Sequence, residues 1–305
     1  MPTLQKIRLA MSICGLIVST SCLAQTQASQ AMQDLQTLAS DRMQGREIGS
    51  AGSALARDYL LKRIVDLGLK PCGASYVQDF PVSKLGQTTQ GKNILACQFS
   101  EQNSAKKFLV VSAHYDHLGI KNDKIYFGAD DNASGVAGVL AVAQSLRGKV
   151  TKHNIVYAFF DGEERGLLGA HAFVKQAWIA PKDITANINF DMIARGDKNE
   201  LFASGTYQNP SLKPILQELN GTQGIKLSFD HDRPEQGSND WTSQSDHYAF
   251  FKAGIPHLYF GVEDHADYHK PTDSAEKVNP KFFDGAIEIV QKAVQLIDQK
   301  FTRKD

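Results

Sequence analysis

The chain has 305 residues, of which 42% are hydrophobic and 22% are charged, the proportions of a folded globular protein. Its 33 Lys and Arg residues balance its 33 Asp and Glu residues. The sequence therefore has no basic field to attract nucleic acid or an anionic membrane surface, and neither partner is expected.

The first 24 residues differ from the rest of the chain. Lys6 and Arg8 precede an apolar stretch over residues 9–18, and small residues follow it. This pattern is typical of a secretory signal peptide and is too short for a membrane span, so we expect cleavage after Ala24. Acylation of Cys22, which would leave a lipid-anchored protein, is the alternative. Either way the chain is expected to be exported, as a periplasmic or secreted protein.

Export bears on the cysteines. Of the four in the chain, Cys72 and Cys97 lie beyond the expected signal peptide. In an oxidising compartment these two are expected to form a disulfide, and two separate buried thiols are the alternative.

Helices and strands are expected to alternate along the remaining chain. Periodicity predicts helices over residues 31–40, 51–67, 133–148, 166–176 and 280–301. Apolar runs predict strands over residues 92–99, 107–116, 153–161, 185–193, 200–205 and 256–262.

The character of the strands predicts the fold class. Several are continuous apolar runs rather than alternations, which indicates burial on both faces. We therefore expect an α/β protein, a three-layer sandwich in which a mostly parallel mixed β-sheet lies between helices. A site in such a fold lies at the carboxyl ends of the strands. No long linker divides residues 25–305, so a single domain is expected.

Acidic and imidazole side chains stand where that edge of the sheet is expected. They occur at His114–His117 (HYDH), Asp131, Glu163–Glu164, Asp191 and Tyr268–His269. Such clusters would repel one another unless cations balanced their charge. Imidazole and carboxylate without thiolate favour zinc. Two imidazoles and three carboxylates suffice for two ions that share one carboxylate and a nucleophilic water.

The adjacent glutamates Glu163 and Glu164 invite different roles. Neighbouring side chains in an extended chain point to opposite sides. One carboxylate can therefore bind metal while the other faces the substrate as a general base, passing a proton from water to a leaving amine.

The chain resembles the M28 family of zinc-dependent aminopeptidases, which carry two co-catalytic zinc ions. The motifs HYDH, ADDNASG, DGEERGLLGA, NFDMI, SDHYAF and YHKPTD occur in the family's order, and the resemblance extends from Gly45 to Asp273. It implies metal ligation by five residues: His114 and Asp191 at one zinc, Glu164 and His269 at the other, and Asp131 as the bridge.

The resemblance also implies roles in catalysis. Glu163 would be the general base, Asp116 would orient the imidazole of His114, and Tyr268 would stabilise the oxyanion. Too few residues separate the N-terminal helices from HYDH for the inserted protease-associated domain of larger relatives.

The expected function is therefore an exported aminopeptidase that hydrolyses the N-terminal peptide bond of peptides with a hydroxide held between two zinc ions. Glutaminyl cyclase with one zinc ion is an alternative. A dipeptidase or carboxypeptidase on the same site and a non-catalytic binding module are the others.

Weaker expectations concern features outside the ligand set. The polar loop Asp230–Trp241 is a candidate wall for substrate specificity. Ser245 and Asp246 are expected to cap a helix, and contact with substrate is the alternative for Asp246 and His247. Arg46 is expected to be structural, and His117 either structural or in contact with substrate.

Overall fold

The computed structural model describes residues 30–84, 87–101, 107–176 and 179–303. The expected signal peptide over residues 1–24 and the acylation site at Cys22 lie outside these ranges. Within them, no helix has the length and apolar character that crossing a membrane requires.

The described residues form the following helices and strands. The helices are α1 (30–38), α2 (Ala51–Asp66), α3 (Gly135–Leu146), α4 (Leu168–Lys175), α5 (Lys213–Gln217), α6 (His247–Lys252) and α7 (Pro280–Lys300). The strands are β1 (Lys70–Pro71), β2 (Val77–Lys84), β3 (Gln87–Gln98), β4 (Phe108–His114), β5 (Ile120–Lys121), β6 (Lys124–Ile125), β7 (Asn154–Phe160), β8 (Ile184–Phe190), β9 (Glu200–Ser204), β10 (Lys226–Ser228) and β11 (His257–Gly261).

A nine-stranded sheet runs through the described part of the chain. Its order is β1-β3-β7-β4-β8-β11-β9-β10, and β2 pairs with β3. The central strands β7, β4, β8 and β11 are parallel to one another. On either side of them the pairs β3–β7 and β11–β9 are antiparallel. The strands β5 and β6 form a separate hairpin.

Helices cover both faces of this sheet. In β4, Leu109 and Val111 belong to one hydrophobic core, while Val110 between them belongs to another. The first core contains buried residues of α1, α2, α3 and α7, and the second contains those of α4 and α6. Because successive side chains of a strand point to opposite faces, a continuous apolar run fills both cores. The predicted α/β sandwich with a mixed sheet is confirmed.

A disulfide lies beside the pairing of β1 with β3. It joins Cys72 to Cys97, whose Cα atoms are 5.0 Å apart. Cys97 pairs with Val156 near the start of β7, so the bridge lies toward the amino ends of the parallel strands. The structure thus contains the expected disulfide and not two separate thiols.

Some elements differ from the sequence predictions. The hairpin of β2 and β3, paired over eight residues, was missed because VQDFPVSK contains Pro81 and mostly polar side chains. Helix α4 begins at Leu168 rather than at Gly166. The left-handed φ angles of Gly166 (97°) and Leu167 (59°) form the turn that precedes it.

Candidate metal centre and active site

The segments that follow the four central strands meet at one edge of the sheet. The parallel strands end there at His114, Phe160, Phe190 and Gly261. The turn that leads into α3 reaches the same edge. Together these segments bring the five predicted metal ligands close to one another, in two groups that share one residue.

The first group of ligand atoms comes from His114, Asp131 and Asp191. His114 Nε2 lies 3.3 Å from Asp131 Oδ1 and 3.3 Å from Asp191 Oδ1. All three residues are buried. Atoms that bind a tetrahedral zinc ion at about 2.0–2.1 Å are about 3.3 Å from one another, so these three atoms fit one ion.

The second group comes from Asp131, Glu164 and His269. His269 Nε2 lies 3.1 Å from Asp131 Oδ2 and 3.4 Å from Glu164 Oε2. Asp131 therefore turns one carboxylate oxygen toward each group, as a bridging ligand must. His117, to which the sequence analysis assigned no metal, also reaches this group: its Nδ1 is 2.7 Å from Glu164 Oε1.

The charges of the two groups attract cations. Burial alone lowers the pKa of an imidazole, yet the carboxylates of Asp131 and Glu164 raise the pKa of His269 to about 10. Burial raises the pKa of a carboxyl, yet the imidazoles of His117, His114 and His269 hold the pKa of Asp131 well below its ordinary value. The carboxylates of Asp131 and Glu164 thus stabilise positive charge, and imidazole nitrogens lie beside them. Zinc binds this combination of oxygen and nitrogen ligands.

The glutamate pair lies in a short 3₁₀ turn, Glu163–Arg165, and not in extended chain. The prediction that an extended chain directs the two side chains to opposite sides is therefore wrong. The turn nevertheless directs them to different places. Glu164 reaches the second ligand group, whereas the charge of Glu163 interacts most with those of His114, Asp191 and Asp246. Burial raises the pKa of Glu163 well above its ordinary value, and the two aspartates add to this shift.

Asp116 holds the glutamate turn in place. Its two carboxylate oxygens accept the backbone N–H groups of Glu163, at 3.1 Å, and Glu164, at 3.4 Å. Nδ1 of His114 lies 3.1 Å from the backbone oxygen of Asp116 and 3.7 Å from its carboxylate. The imidazole of His114 is thus oriented by the carbonyl, which leaves Nε2 free for a metal ion.

Two acids that sequence reasoning did not assign support Asp131, the predicted bridging residue. The carboxylate of Asp273 accepts the backbone N–H groups of Asp130 and Asp131, all at 3.1 Å. Asp130 accepts the N–H of Ala194 at 2.7 Å and lies 3.1 Å from His265 Nε2. Asp130 lies in the motif ADDNASG and Asp273 in YHKPTD, so these motifs were the indication in the sequence that both residues matter.

Ser245 and Asp246 do not cap α6 with their side chains, and that prediction is wrong. The hydroxyl of Ser245 donates to Asp191 Oδ2 at 2.7 Å and accepts from Asn189 Nδ2 at 2.9 Å. Both carboxylate oxygens of Asp246 are buried without a hydrogen-bond partner in the described part of the chain. Burial raises the pKa of Asp246 to about 8. Tertiary contacts with the ligand cluster thus replace local capping.

Arg46 joins the ligand-bearing segments to α1. Its buried guanidinium donates, at 2.5–2.9 Å, to the backbone oxygens of Leu38, Tyr115, Phe127 and Gly128. Tyr115 belongs to HYDH, and Gly128 precedes ADDNASG. One side chain therefore positions two parts of the candidate metal centre, which agrees with the structural role expected for it.

An open cavity of about 480 Å³ lies in front of the two ligand groups. Its wall includes Tyr248, Tyr259 and Tyr268. The ring of Tyr268 stacks on that of His269, with 4.0 Å between their centroids. Burial, together with the nearby aspartates, raises the pKa of Tyr268, so its phenol stays protonated and can donate a hydrogen bond.

The loop Asp230–Trp241 supports this wall from behind. His231 stacks on Trp241 at 3.8 Å between ring centroids, and Trp241 packs against Tyr259 at 5.6 Å. Among the described residues of this region, Ser243 and Gln244, just beyond the loop, line the cavity. The loop thus shapes the wall through Tyr259 and not by direct contact, which differs from the expectation.

The sequence profile of Peptidase family M28 matches residues 93–294, about two thirds of the chain. The chain belongs to Peptidase family M28. The matched range of this M28 chain contains all eight residues predicted for its site, from His114 to His269.

Two curated proteins illustrate the relatives of this M28 chain. A vacuolar membrane protease of Candida albicans (strain WO-1) is 27% identical over 253 residues, which cover 81% of the chain and 28% of that protein. Aminopeptidase YwaD of Bacillus subtilis (strain 168) is 29% identical over 219 residues, which cover 68% of the chain and 44% of that protein. The chain thus spans less than half of the length of either relative.

Solved structures share the fold of this M28 chain. A zinc aminopeptidase from Bacillus subtilis has a TM-score of 0.72 at 17% identity, covering 91% of the chain and 96% of that structure. A glutaminyl cyclase from Fimbriiglobus ruber has a TM-score of 0.69 at 20% identity, covering 88% and 95%. Identities this low establish a common α/β fold and leave the reaction to be argued from the site.

Proposed function

We propose that this chain is an exported aminopeptidase that binds two zinc ions and hydrolyses the N-terminal peptide bond of peptides. One observation carries the proposal: Asp131 turns Oδ1 toward His114 and Oδ2 toward His269, so that two ligand groups share one carboxylate. Membership of the M28 family and 29% identity to an aminopeptidase support the reaction class. The signal-peptide pattern of residues 1–24 supports export.

The five ligand residues divide between the two ions. We assign His114 and Asp191 to one zinc ion, Glu164 and His269 to the other, and Asp131 to both. Zinc bound at these positions would polarise the substrate carbonyl and acidify a water molecule. We also assign residues 25–305 to a single metallopeptidase domain without an inserted protease-associated domain.

Glu163 is assigned as the general base. Its carboxylate takes a proton from the attacking water and delivers it to the leaving amine. Glu163 lines the cavity in front of the two ligand groups, where a general base must stand. Asp116 holds Glu163 at this place through the backbone N–H that its carboxylate accepts.

Tyr268 is assigned to the developing negative charge. Its phenol lines the cavity and stays protonated because its pKa is raised by burial. An O–H donor at this place stabilises the carbonyl oxygen as it becomes an oxyanion.

The test of the proposal is digestion of a mixed peptide library, read by mass spectrometry, with and without a chelator. We expect release of single N-terminal residues, loss of this activity in the chelator and its return when zinc is added. Formation of N-terminal pyroglutamate without hydrolysis would instead identify a glutaminyl cyclase. Cleavage at the carboxyl end, or of dipeptides alone, would identify a different peptidase.

The same assay tests the general base with Glu163→Gln. The variant should keep the fold and its zinc but lose at least about a hundredfold in kcat, because it cannot accept the proton. Glu101→Gln is the matched control, since Glu101 is exposed just beyond the end of β3, at the edge away from the site. Unchanged kcat in the Glu163 variant would refute the assignment.

A further inference from the structure

His117 is a buried imidazole that the five-ligand assignment leaves without a task. It follows Asp116 in the HYDH motif, and its side chain has no exposed surface. Its Nδ1 lies 2.7 Å from Glu164 Oε1 and 3.6 Å from Asp131 Oδ2. The ring therefore stands against the same two carboxylates that face His269.

The short contact between His117 and Glu164 lacks the geometry of a hydrogen bond. Neither ring nitrogen of His117, nor Glu164 Oε1, has a hydrogen-bond partner in the described part of the chain, although all three atoms are buried. Buried polar atoms are nearly always satisfied. A cation at a point between His117 Nδ1 and Glu164 Oε1 would satisfy both atoms.

Five donor atoms from four residues surround this point, since Glu164 turns Oε1 toward His117 and Oε2 toward His269. His117 Nδ1 and His269 Nε2 flank the oxygens of Asp131 and Glu164, at nitrogen–oxygen distances from 2.7 to 3.6 Å. A tetrahedral zinc ion sets its ligand atoms about 3.3 Å apart. Two imidazoles and two carboxylates therefore complete a four-ligand zinc site without a further donor.

The backbone around His117 keeps its ring at this position. A Cβ atom on Gly128 would lie 2.5 Å from Cγ of His117, so only glycine leaves room for the ring. Gly128 also has φ of +58°, a conformation that other residues rarely adopt. Arg46 binds its carbonyl oxygen at 2.9 Å. The imidazole is thus held in place before any ion binds.

We propose that His117 Nδ1 is a fourth protein ligand of the second zinc ion, alongside Asp131, Glu164 and His269. The inference rests on the proposed two-zinc function and adds an asymmetry to it. The second site is closed by four protein ligands, whereas the first has three, from His114, Asp131 and Asp191, and keeps a position open for substrate. The second site should therefore hold zinc more tightly than the first.

Zinc titration of the metal-free full-length chain tests this inference. Metal content is measured by mass spectrometry, and affinities are measured by competition with a chromophoric chelator. The wild type should bind two ions with unequal affinity. His117→Ala should weaken the tighter site at least tenfold and leave the other nearly unchanged. His171→Ala is the control for zinc affinity, since His171 is an exposed imidazole of the same cavity.

The variant His117→Asn distinguishes two roles of His117, as a zinc ligand or as a hydrogen-bond donor to Glu164. Its side-chain N–H can still reach Glu164, so the affinity should survive in this variant if His117 only orients that carboxylate. It should fall as in the alanine variant if Nδ1 binds zinc. Added imidazole should restore the affinity of His117→Ala, and cobalt substitution should show altered visible absorption bands in both variants.

The outcomes distinguish this inference from the proposed function. Two zinc ions of wild-type affinity in both His117 variants would overturn the role of His117 and leave the two-zinc peptidase intact. An affinity restored by asparagine would also overturn it. A wild-type chain that binds no zinc would refute the proposed function itself. If His117→Ala does not fold, as judged by circular dichroism, the folded His117→Asn variant decides.

Discussion

Neighbouring acids of the same type have different tasks at this site, and contacts assign them. Asp131 faces two ligand groups, whereas Asp130 beside it accepts the N–H of Ala194. Asp273 accepts the backbone N–H groups of both. Burial makes each carboxylate dependent on its partners, because a buried charge without one is costly. The role of a residue here follows from what its oxygens face.

The protonation of a buried histidine outside the proposed metal centre affects the stability of the fold. His257 begins β11, and its ring packs against those of His247, at 5.6 Å, and Phe251, at 5.4 Å. Its Nε2 is buried without a hydrogen-bond partner among the described residues. Burial lowers the pKa of His257 to about 4, so the folded chain keeps this imidazole neutral.

We expect His257 to destabilise the fold in mild acid. The unfolded chain takes up this proton near pH 6.5, so between about pH 6.5 and 4 it binds more protons than the folded chain, and stability falls as the pH falls. At pH 5 the loss relative to pH 7.5 is about 2 kcal/mol. Urea unfolding in chelator at both pH values should show a loss smaller by this amount in His257→Gln. An equal loss in both proteins would contradict the prediction.

Among whole elements, the agreement with the sequence is best where local pattern and burial coincide. Helix α7 was predicted from an apolar stripe, and the residues of that stripe, Phe283, Ala286, Val290, Val294 and Ile297, are buried. The start of α6 was predicted less well. Its serine bonds Asp191, a residue distant in sequence, instead of capping the helix. A contact across the fold outweighed the local preference.

The start of α7 offers a test at this scale. The side chain of Asn279 accepts the N–H of Phe282 at 3.1 Å, which satisfies one of the free donors of the first turn. Asn279→Ala should lower the free energy of unfolding by about 1 kcal/mol. Lys281→Ala, an exposed change in the same turn, should not lower it. Urea denaturation measures both, and equal stabilities of the two variants would argue against the cap.

Across the whole molecule, the proposed metal centre and the disulfide lie at opposite ends of the parallel strands. The proposed ligands lie at or after the carboxyl ends of β4, β7 and β8, whereas Cys97 pairs with Val156 near the amino end of β7. The sheet between them is buried on both faces. The disulfide at one end of the strands is therefore distant from the proposed metal ligands at the other end.

This separation predicts what happens when the disulfide is removed. The bridge closes a loop with a sequence separation of 25, for which chain entropy predicts a stabilisation of about 3.5 kcal/mol. A Cys72→Ser/Cys97→Ser double variant should lose about this much in urea unfolding. On the proposed function, it should still bind two zinc ions and hydrolyse peptides. Loss of zinc from a folded double variant would contradict the separation.

The sequence by itself determined the fold class and the main candidates for the site. Continuous apolar runs imply a sheet buried on both faces, and acids and imidazoles directly after such runs must meet at its carboxyl edge. The order of strands and polar residues along the chain is sufficient for this inference, because the carboxyl ends of parallel strands lie at one edge of the sheet.

Only the tertiary structure decided how these side chains divide the work. Sequence places His117 beside Asp116 but does not give the direction of its ring, which depends on the space left by Gly128. Nor does it show that Ser245 binds Asp191. Both contacts join segments that are distant in the chain, and their directions follow from packing and not from local pattern.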